Sequence, residues 1–423
     1  MKVVLYSHLF LPKIGGREIA VNNLAGALFD IGIDVRVVGP RVVRGKAAVT
    51  RPFPVHRYPR AGRSRLQNQD RSALLQEWQM AAALTYDRLR WGADIIHAHS
   101  SFPGASIAAR SLSVLPGARL VVTPHGIDIN TDVEAGYGMR LNETLARKID
   151  RSLKTAAAVT AISDGVRENL RRAGVPQEKL WRVDNGIDVD RFRDPVPVNV
   201  RKVFGIPDGM KLLLSVGNYH PLKGQGVIIE ALKSLGDRIP DLGLVIIGRG
   251  TEALRDQIDK AGLSQRVFLT GELPFKSSAV ESSADAIDLI AAFYQQCDLY
   301  VAASKAEGAE GLSLAVLDSF AAGIPLIATA ISGNRDVVVD GVNGLLVAPG
   351  DASAIADAIA RLLRDPVLCA ALAAQGQRRA DELSWRSVAK AYVKVYEAVL
   401  RKGEGVGSSD WSLRGPTGEN RER

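Results

Sequence analysis

Cysteine is almost absent from this chain: Cys297 and Cys369 are the two thiols among 423 residues, and they stand far apart. They cannot build a disulfide framework and lack the paired spacing of a zinc site, so a reducing, cytoplasmic home is expected. Long apolar runs are missing as well. No window reaches the roughly 18 consecutive apolar residues that a spanning helix requires, the longest runs being pieces such as LGLVIIG. The opening MKVVLYSHLF has one basic residue, and Ser7 and His8 interrupt its apolar run before a signal-peptide core is complete; it reads as a first buried strand. Aromatics make up 6% of the chain and are not interleaved with its basic residues as stacking platforms would be, so nucleic acid is not an expected partner. No histidine joins nearby carboxylates in a ligand set, and neither a metal nor another cofactor is expected.

What remains is the composition of an ordinary folded protein, 46% hydrophobic and 24% charged, with a length that calls for more than one core. The formal charge of +8 is uneven. Residues 36–71 hold ten Lys or Arg against one acid, Asp70. Such a stretch is a solvated loop or a patch that attracts anionic lipid at the inner membrane face or a phosphorylated substrate.

Short β-rich apolar runs alternate with helical stretches: KVVLYS, DVRVVGP, DIIHAH, LVVTPHG and AVTAIS, then KLLLSVG, LGLVIIG, RVFLTG, DLYVAAS and PLIAT. Strands buried on both faces and separated by helices make parallel, doubly wound sheets. The series breaks at RDPVPVNVRK, residues 193–202, where two prolines stop both helix and strand. The expected organisation is therefore an α/β fold of two Rossmann-like domains, residues 1–195 and 196–385, facing a cleft at the carboxyl ends of their strands. A helix over 386–402 follows, with Val388, Tyr392, Tyr396, Val399 and Leu400 at helical spacing after a Ser384 N-cap, crossing back to the first domain. The Gly, Ser and charge of residues 403–423 predict a disordered tail.

Three places have the address of chemistry. In EGLSLAVLDSFAAGIPLIAT, Glu310 and Asp318 stand eight positions apart in a segment otherwise built for burial, with Gly311, Leu312 and Ser313 opening a helix. Unpaired N–H groups and a positive dipole at a helix start suit a phosphate. Eight helical residues separate the acids by about 12 Å, comparable to a diphosphate with a sugar on each side; otherwise they are simply surface acids. In SVGNYHPLKGQ, Lys223 lies just past a strand, within reach of a phosphate or merely solvated. In the first domain, Gly15 and Gly16 sit in a strand-to-helix turn that permits close backbone approach or is only a tight turn. His125 in VVTPHGID lies at a strand end beside a glycine, and His97 and His99 alternate along IIHAHSS, one facing the core and the other the cleft. Arg249 in IIGRG follows a middle strand without the rest of a dinucleotide fingerprint.

The pattern EGLSLAVLDSFAAGIP, with PKIGG, HAH, TPHGID, NGIDVDRF, LKG and DGVNGLLVAPGD in order, resembles the retaining GT-B glycosyltransferases of family 4 from residue 1 to about 400. The resemblance implies a nucleotide-sugar donor held mainly by the second domain and a glycan, lipid-linked or small-molecule acceptor held mainly by the first. It implies that Glu310 lies against the donor sugar, Asp318 bonds the ribose, Lys223 neutralises the diphosphate, Gly16 offers its amide to the phosphates and His125 lines the reacting centre. The sequence departs from the family in three ways. Asn218 stands where an arginine is common five residues before the lysine, leaving Arg249 or another arginine to substitute. The second acid is Asp318 instead of Glu, and the segment 276–288 is long. A nucleotide-sugar epimerase or sugar phosphorylase on the same fold is an alternative that lacks this acid pair, and Asn218 and Asp318 leave room for a non-catalytic nucleotide-sugar-binding protein.

Overall fold

A computed structural model describes residues 1–11, 15–41, 51–58, 71–134, 136–274, 276, 287–306 and 311–401. Within them the chain divides into two compact units: Met1–Gly186 joined by the chain from Trp385, and the part between Ile187 and Ser384. The proline-bearing segment expected as a linker is thus wholly part of the second unit. Its backbone N–H groups at Val196 and Val200 donate to Gln295 Oε1 and Gln296 Oε1 at 2.9 and 3.1 Å, and Phe192 just before it is buried in the second unit's core. The expected tail at 403–423 lies outside the described residues, as do most of segment 276–288 and Pro12, Lys13 and Ile14 of PKIGG.

In the first unit, β1 (Lys2–Tyr6), β2 (Asp34–Pro40), β3 (Val55–Tyr58), β4 (Ile95–Ala98), β5 (Arg119–Val122), β6 (Ala158–Ala161) and β7 (Leu180–Arg182) form one sheet in the order β3-β2-β1-β4-β5-β6-β7. Every pairing is parallel. The connecting helices are α1 (Gly16–Asp30), α2 (Arg71–Trp91), α3 (Ser106–Val114), α4 (Glu143–Thr155) and α5 (Asp164–Arg172). β4 and β6 are buried at every residue, and β1 at every residue after Lys2, as strands covered on both faces are.

The second unit carries α6 (Val200–Phe204), β8 (Lys211–Val216), α7 (Gln225–Leu235), β9 (Leu242–Ile247), α8 (Arg255–Lys260), β10 (Val267–Gly271), α9 (Leu289–Gln296), β11 (Leu299–Ala302), α10 (Leu314–Ala322), β12 (Leu326–Thr329), α11 (Ser332–Arg335), β13 (Leu345–Val347), α12 (Ala352–Arg364) and α13 (Pro366–Glu382). Its parallel sheet runs β10-β9-β8-β11-β12-β13. Strand alternation splits its apolar residues between two cores: Leu212 and Leu214 enter one and Leu213 the other. The chain then returns as α14 (Trp385–Arg401), which belongs to the first unit. Val388, Tyr392, Tyr396 and Val399 of α14 are buried, while Leu400 is half-buried. Among the described residues, no helix is long and apolar enough to cross a membrane.

Side-chain caps are common here: Asn142, Ser163, Asn199, Asp288, Asp351 and Asp365 each accept a backbone N–H in the first turn of the helix that follows. Six other helices in the described residues, α1, α3, α7, α8, α10 and α11, have no side-chain cap, among them those that open at Gly16, Gln225 and Leu314. Gly15, Gly224 and Ser313 stand at their N-caps and supply no side-chain hydrogen bond, so the first-turn amides of α1, α7 and α10 are not closed off by their own caps.

Candidate active site

The first unit gathers histidines at the carboxyl ends of β4 and β5. The expectation that one of His97 and His99 faces the core and the other the cleft fails: both are buried, at 0% and 1%. Side chains two residues apart along an extended chain share a face, and His99, just past β4, keeps the strand's pairing by donating its N–H to Tyr6 O at 3.0 Å. His97 is held on both ring nitrogens, bonding Tyr396 Oη through Nδ1 at 2.7 Å and Thr123 Oγ1 through Nε2 at 2.6 Å. His99 packs against that fixed ring with centroids 4.1 Å apart and meets His125 through Nδ1···Nε2 at 3.1 Å.

His125 is half-buried and its loop is clamped by Asp128. The carboxylate of Asp128 accepts the N–H of His125 at 3.1 Å, of Gly126 at 3.3 Å and of Ser101 at 2.5 Å, and the Ser101 hydroxyl at 3.0 Å. Four bonds to one carboxylate fix the two strand ends relative to each other. All three imidazoles are kept uncharged. Burial drives each pKa down, that of His99 to about 3, and Arg17 on α1 pushes His99 and His125 further the same way. Arg17 itself pairs with Glu18 at 2.7 Å.

Gly16 opens α1. A Cβ built there meets nothing within 4 Å, whereas one at Gly15 would strike Glu18. Gly16 therefore faces open space and Gly15 faces protein.

In the second unit the backbone itself is close-packed around the candidate residues. Gly224 follows Lys223 in the left-handed region at φ 68°, and a Cβ on it would lie 1.8 Å from Ala303 O. The N–H of Lys305 donates to Leu222 O at 2.8 Å, so the LKG loop is pinned to the end of β11. Gly311, Leu312 and Ser313 lead into α10, and Gly311 is backed so tightly by Gly333 that a Cβ on the latter would come within 1.7 Å of Gly311 O. Asn218 and Arg249 are brought together through the Arg249 N–H, which donates to Asn218 Oδ1 at 3.0 Å, and through Tyr219 N–H to Arg249 O at 2.9 Å. Asn218 thus fixes the backbone of Arg249, whose side chain is exposed. Glu310 lies outside the described residues.

Asp318 sits in a charged cluster that periodicity does not reveal. Arg191, from the NGIDVDRF stretch, takes Asp288 by a two-pronged contact at 2.7 and 3.0 Å and reaches Asp318 Oδ2 at 3.3 Å. Burial pushes the Asp318 carboxyl up to about 7, with Arg191 opposing the rise and Asp188 and Asp288 adding to it. Burial alone would lower Arg191, but its bonds to Asp288 and the nearby carboxylates hold it above its ordinary value. Arg191, Asp288 and Asp128 were not singled out by sequence. Arg191 and Asp128 lie inside the quoted runs NGIDVDRF and TPHGID, and Asp288 closes the segment 276–288, but Arg191 meets Asp288 and Asp318 across 97 and 127 positions and Asp128 meets Ser101 across 27.

Two family models match successive parts of the chain. One described as Glycosyltransferase Family 4 covers residues 14–191, and one described as Glycosyl transferases group 1 covers residues 199–379. Together they account for well over half of the chain, which belongs to the family 4 glycosyltransferases and has the GT-B fold. It is a glycosyltransferase. A GDP-mannose-dependent alpha-(1-6)-phosphatidylinositol monomannoside mannosyltransferase of Mycolicibacterium smegmatis is 29% identical over 279 residues, covering 64% of this chain and 67% of that one. A 2-deoxystreptamine glucosyltransferase of Streptomyces kanamyceticus is 28% identical over 410 residues, 91% of this chain and 99% of its own. Among solved structures, Anabaena HepE in complex with UDP and glucose matches with a TM-score of 0.74 at 20% identity, covering 94% of this chain and 100% of that one.

Proposed function

We propose that this glycosyltransferase is a retaining enzyme that moves a hexose from a nucleoside-diphosphate sugar to a hydroxyl of a glycan, glycolipid or small polyol, in the assembly of a cell-surface polysaccharide or glycoconjugate. The observation that carries the reading is the pair of neighbouring strand ends in the second unit. β8 and β11 are hydrogen-bonded partners, and each runs into a helix without a side-chain cap, α7 behind Lys223 and Gly224 and α10 behind Gly311, Leu312 and Ser313. A cation and two helix starts on adjacent strands suit a diphosphate. The relative named for GDP-mannose and the neighbour solved with UDP and glucose support the same donor class.

In this reading Lys223 neutralises the diphosphate, the exposed Arg249 adds the cation that Asn218 does not supply, and Asp318 bonds the ribose with the part of its carboxyl not turned to Arg191. Glu310 contacts the transferred sugar. Gly16, with open space above it, offers its amide to a phosphate, and His125 faces the reacting carbon's substituents. The leaving phosphate oxygen takes the acceptor's proton on the same face, so catalysis rests on stabilising the departing diphosphate.

Membrane association through residues 36–71 is part of the proposal, in a reduced form. Arg36 is paired with Asp87, Arg51 with Asn22 and Arg57 with the carbonyls of Pro40 and Leu11. Among the described residues of that stretch, Arg41 and Arg71 are the exposed cations, and the rest of the basic residues lie outside them.

Thermal-shift and calorimetric titration with UDP- and GDP-sugars tests the reading. A true donor stabilises the fold by about 2.7 kcal/mol at a hundredfold excess over its dissociation constant, is slowly hydrolysed, and loses most of its affinity in Lys223→Ala. A protein indifferent to every nucleotide sugar would sink it.

A further inference from the structure

The solvent face of α2 is apolar. Leu75, Trp78, Ala82, Tyr86 and Leu89 recur at spacings of three, four, four and three, the rhythm that keeps residues on one side of a helix. That side points outward: Leu75 is 61% exposed, Trp78 48%, Tyr86 61% and Leu89 68%, with Ala82 exposed between them. A different face of the same helix, with Ala73, Met80, Ala81 and Leu84, already fills the first unit's core. The outward row runs about 21 Å from Leu75 to Leu89. Single exposed apolar residues are ordinary, but a continuous row marks a surface that meets a partner.

Charge selects the partner. The two acids of the helix are turned inward and neutralised: Glu77 lies between Arg110 at 3.1 Å and Lys148 at 3.4 Å, and Asp87 takes Arg36 at 3.0 Å with His56 also against it. Among the described residues, the exposed charges of α2 are Arg71 at its start and Arg90 near its end. Both aromatic rings of the row carry a cation, the Arg110 guanidinium 4.8 Å from the Trp78 ring and that of Arg90 5.8 Å from the Tyr86 ring. A second copy of this chain fits poorly. Two α2 helices seated face to face, parallel or antiparallel, would set arginine against arginine at both ends. An apolar row rimmed by cations, with Trp and Tyr among its members, has the chemistry of a helix lying in the interface of an anionic bilayer.

We propose that α2 docks on an anionic membrane surface through this face, with Leu75, Trp78, Tyr86 and Leu89 entering the headgroup layer and Arg71 and Arg90 meeting lipid phosphates. Docking of this kind rests on the membrane association already proposed for the basic stretch, and moves its seat to a defined helix face. It also changes the physics: charges alone bind loosely and are screened by salt, whereas buried apolar side chains add a hold that salt does not screen.

Flotation of the full chain with vesicles tests this, using phosphatidylcholine alone and phosphatidylcholine mixed with phosphatidylglycerol in equal parts. The protein should float with the anionic vesicles and far less with the neutral ones. Leu75→Ser combined with Leu89→Ser should lower the partition constant roughly tenfold or more. Both side chains are exposed and neither stands at the candidate site, so melting temperature and calorimetric affinity for a nucleotide sugar should stay as in wild type. Arg71→Gln combined with Arg90→Gln should weaken binding and flatten its dependence on salt. Brominated lipid should quench tryptophan fluorescence in wild type much more than in Trp78→Phe. Vesicles that hold the double leucine variant as tightly as wild type overturn the α2 surface and leave association through residues 36–71 standing, whereas a protein that floats with neither vesicle sinks both. A dimer in sedimentation that the leucine substitutions dissociate, without flotation, assigns the face to a second copy instead. Equal flotation with both vesicles overturns the choice of an anionic partner. The donor reading is judged apart, by nucleotide-sugar titration, which flotation does not touch.

Discussion

The two units are built alike and arm their strand ends differently. In the first, burial strips charge away: three imidazoles stay neutral and act through directed hydrogen bonds, with Asp128 spent entirely on holding loops. In the second, charge is retained and balanced, with Asp318 and Asp288 around Arg191, while glycines let backbone press on backbone beneath the candidate residues Lys223 and Gly311. A buried neutral network is damaged in proportion to the bonds removed. A buried charged one fails by leaving a charge behind.

The contrast is sharpest at Arg191. Arg191→Met leaves Asp288 and Asp318 without their cation and should cost about 3–5 kcal/mol in denaturant unfolding; a loss below about 1 kcal/mol would erase the distinction drawn between the units. Next come the glycines. Gly224→Ala places a Cβ on Ala303 O at a positive φ and should cost about 1–3 kcal/mol or more. Gly16→Ala in the first unit meets open space; it should unfold within about 0.5 kcal/mol of wild type yet bind nucleoside diphosphate more weakly by calorimetry. Equal stability losses for both would mean that Gly16, too, is only structural.

A smaller effect is read in pH. With the Asp318 carboxyl held near 7 in the folded chain and near 4 when unfolded, the folded state binds the extra proton across that window. Its contribution to stability is therefore full below about pH 4 and declines as pH rises to 7, by at most about 1.4 kcal/mol per unit. Unfolding curves of wild type and Asp318→Asn from pH 4 to 8 should converge at low pH, where the amide stands in for the protonated acid, and separate at high pH, the wild type losing stability. Parallel curves would show that Asp318 is ionised throughout. Least of all, Tyr396→Phe removes one neutral bond from His97 and should cost about 1 kcal/mol without leaving a charge stranded.

Much of this was legible in the chain. The ten short apolar runs of the sequence are all strands, because a strand covered on both faces is largely apolar along its length. The three strands that went unread, β3, β7 and β13, are sheet edges of three or four residues with half-exposed patterns, and an edge carries too little apolar sequence to announce itself. At the site, the helix start from Gly311 to Ser313 and the positions of Lys223 and His125 at strand ends followed from local pattern. What the sequence concealed was pairing across distance. Arg191 and Asp318 are 127 positions apart, and nothing in either neighbourhood marks the other. The expectation for His99 failed because side chains two apart along a strand lie on one face, so His97 and His99 go into the protein together.

The return of α14 to the first unit sets a schedule for biosynthesis. Chains fold as they emerge, earlier domains usually first. Here His97 waits for Tyr396, and the first unit's core lacks Val388, Tyr392 and Val399 until nearly the whole described chain has been made. The second unit, synthesised later, holds all of its own strands and helices by Ser384 and can close before the first is complete. On the ribosome, the part that begins first finishes last, and during that interval its unfilled face is what a chaperone would meet.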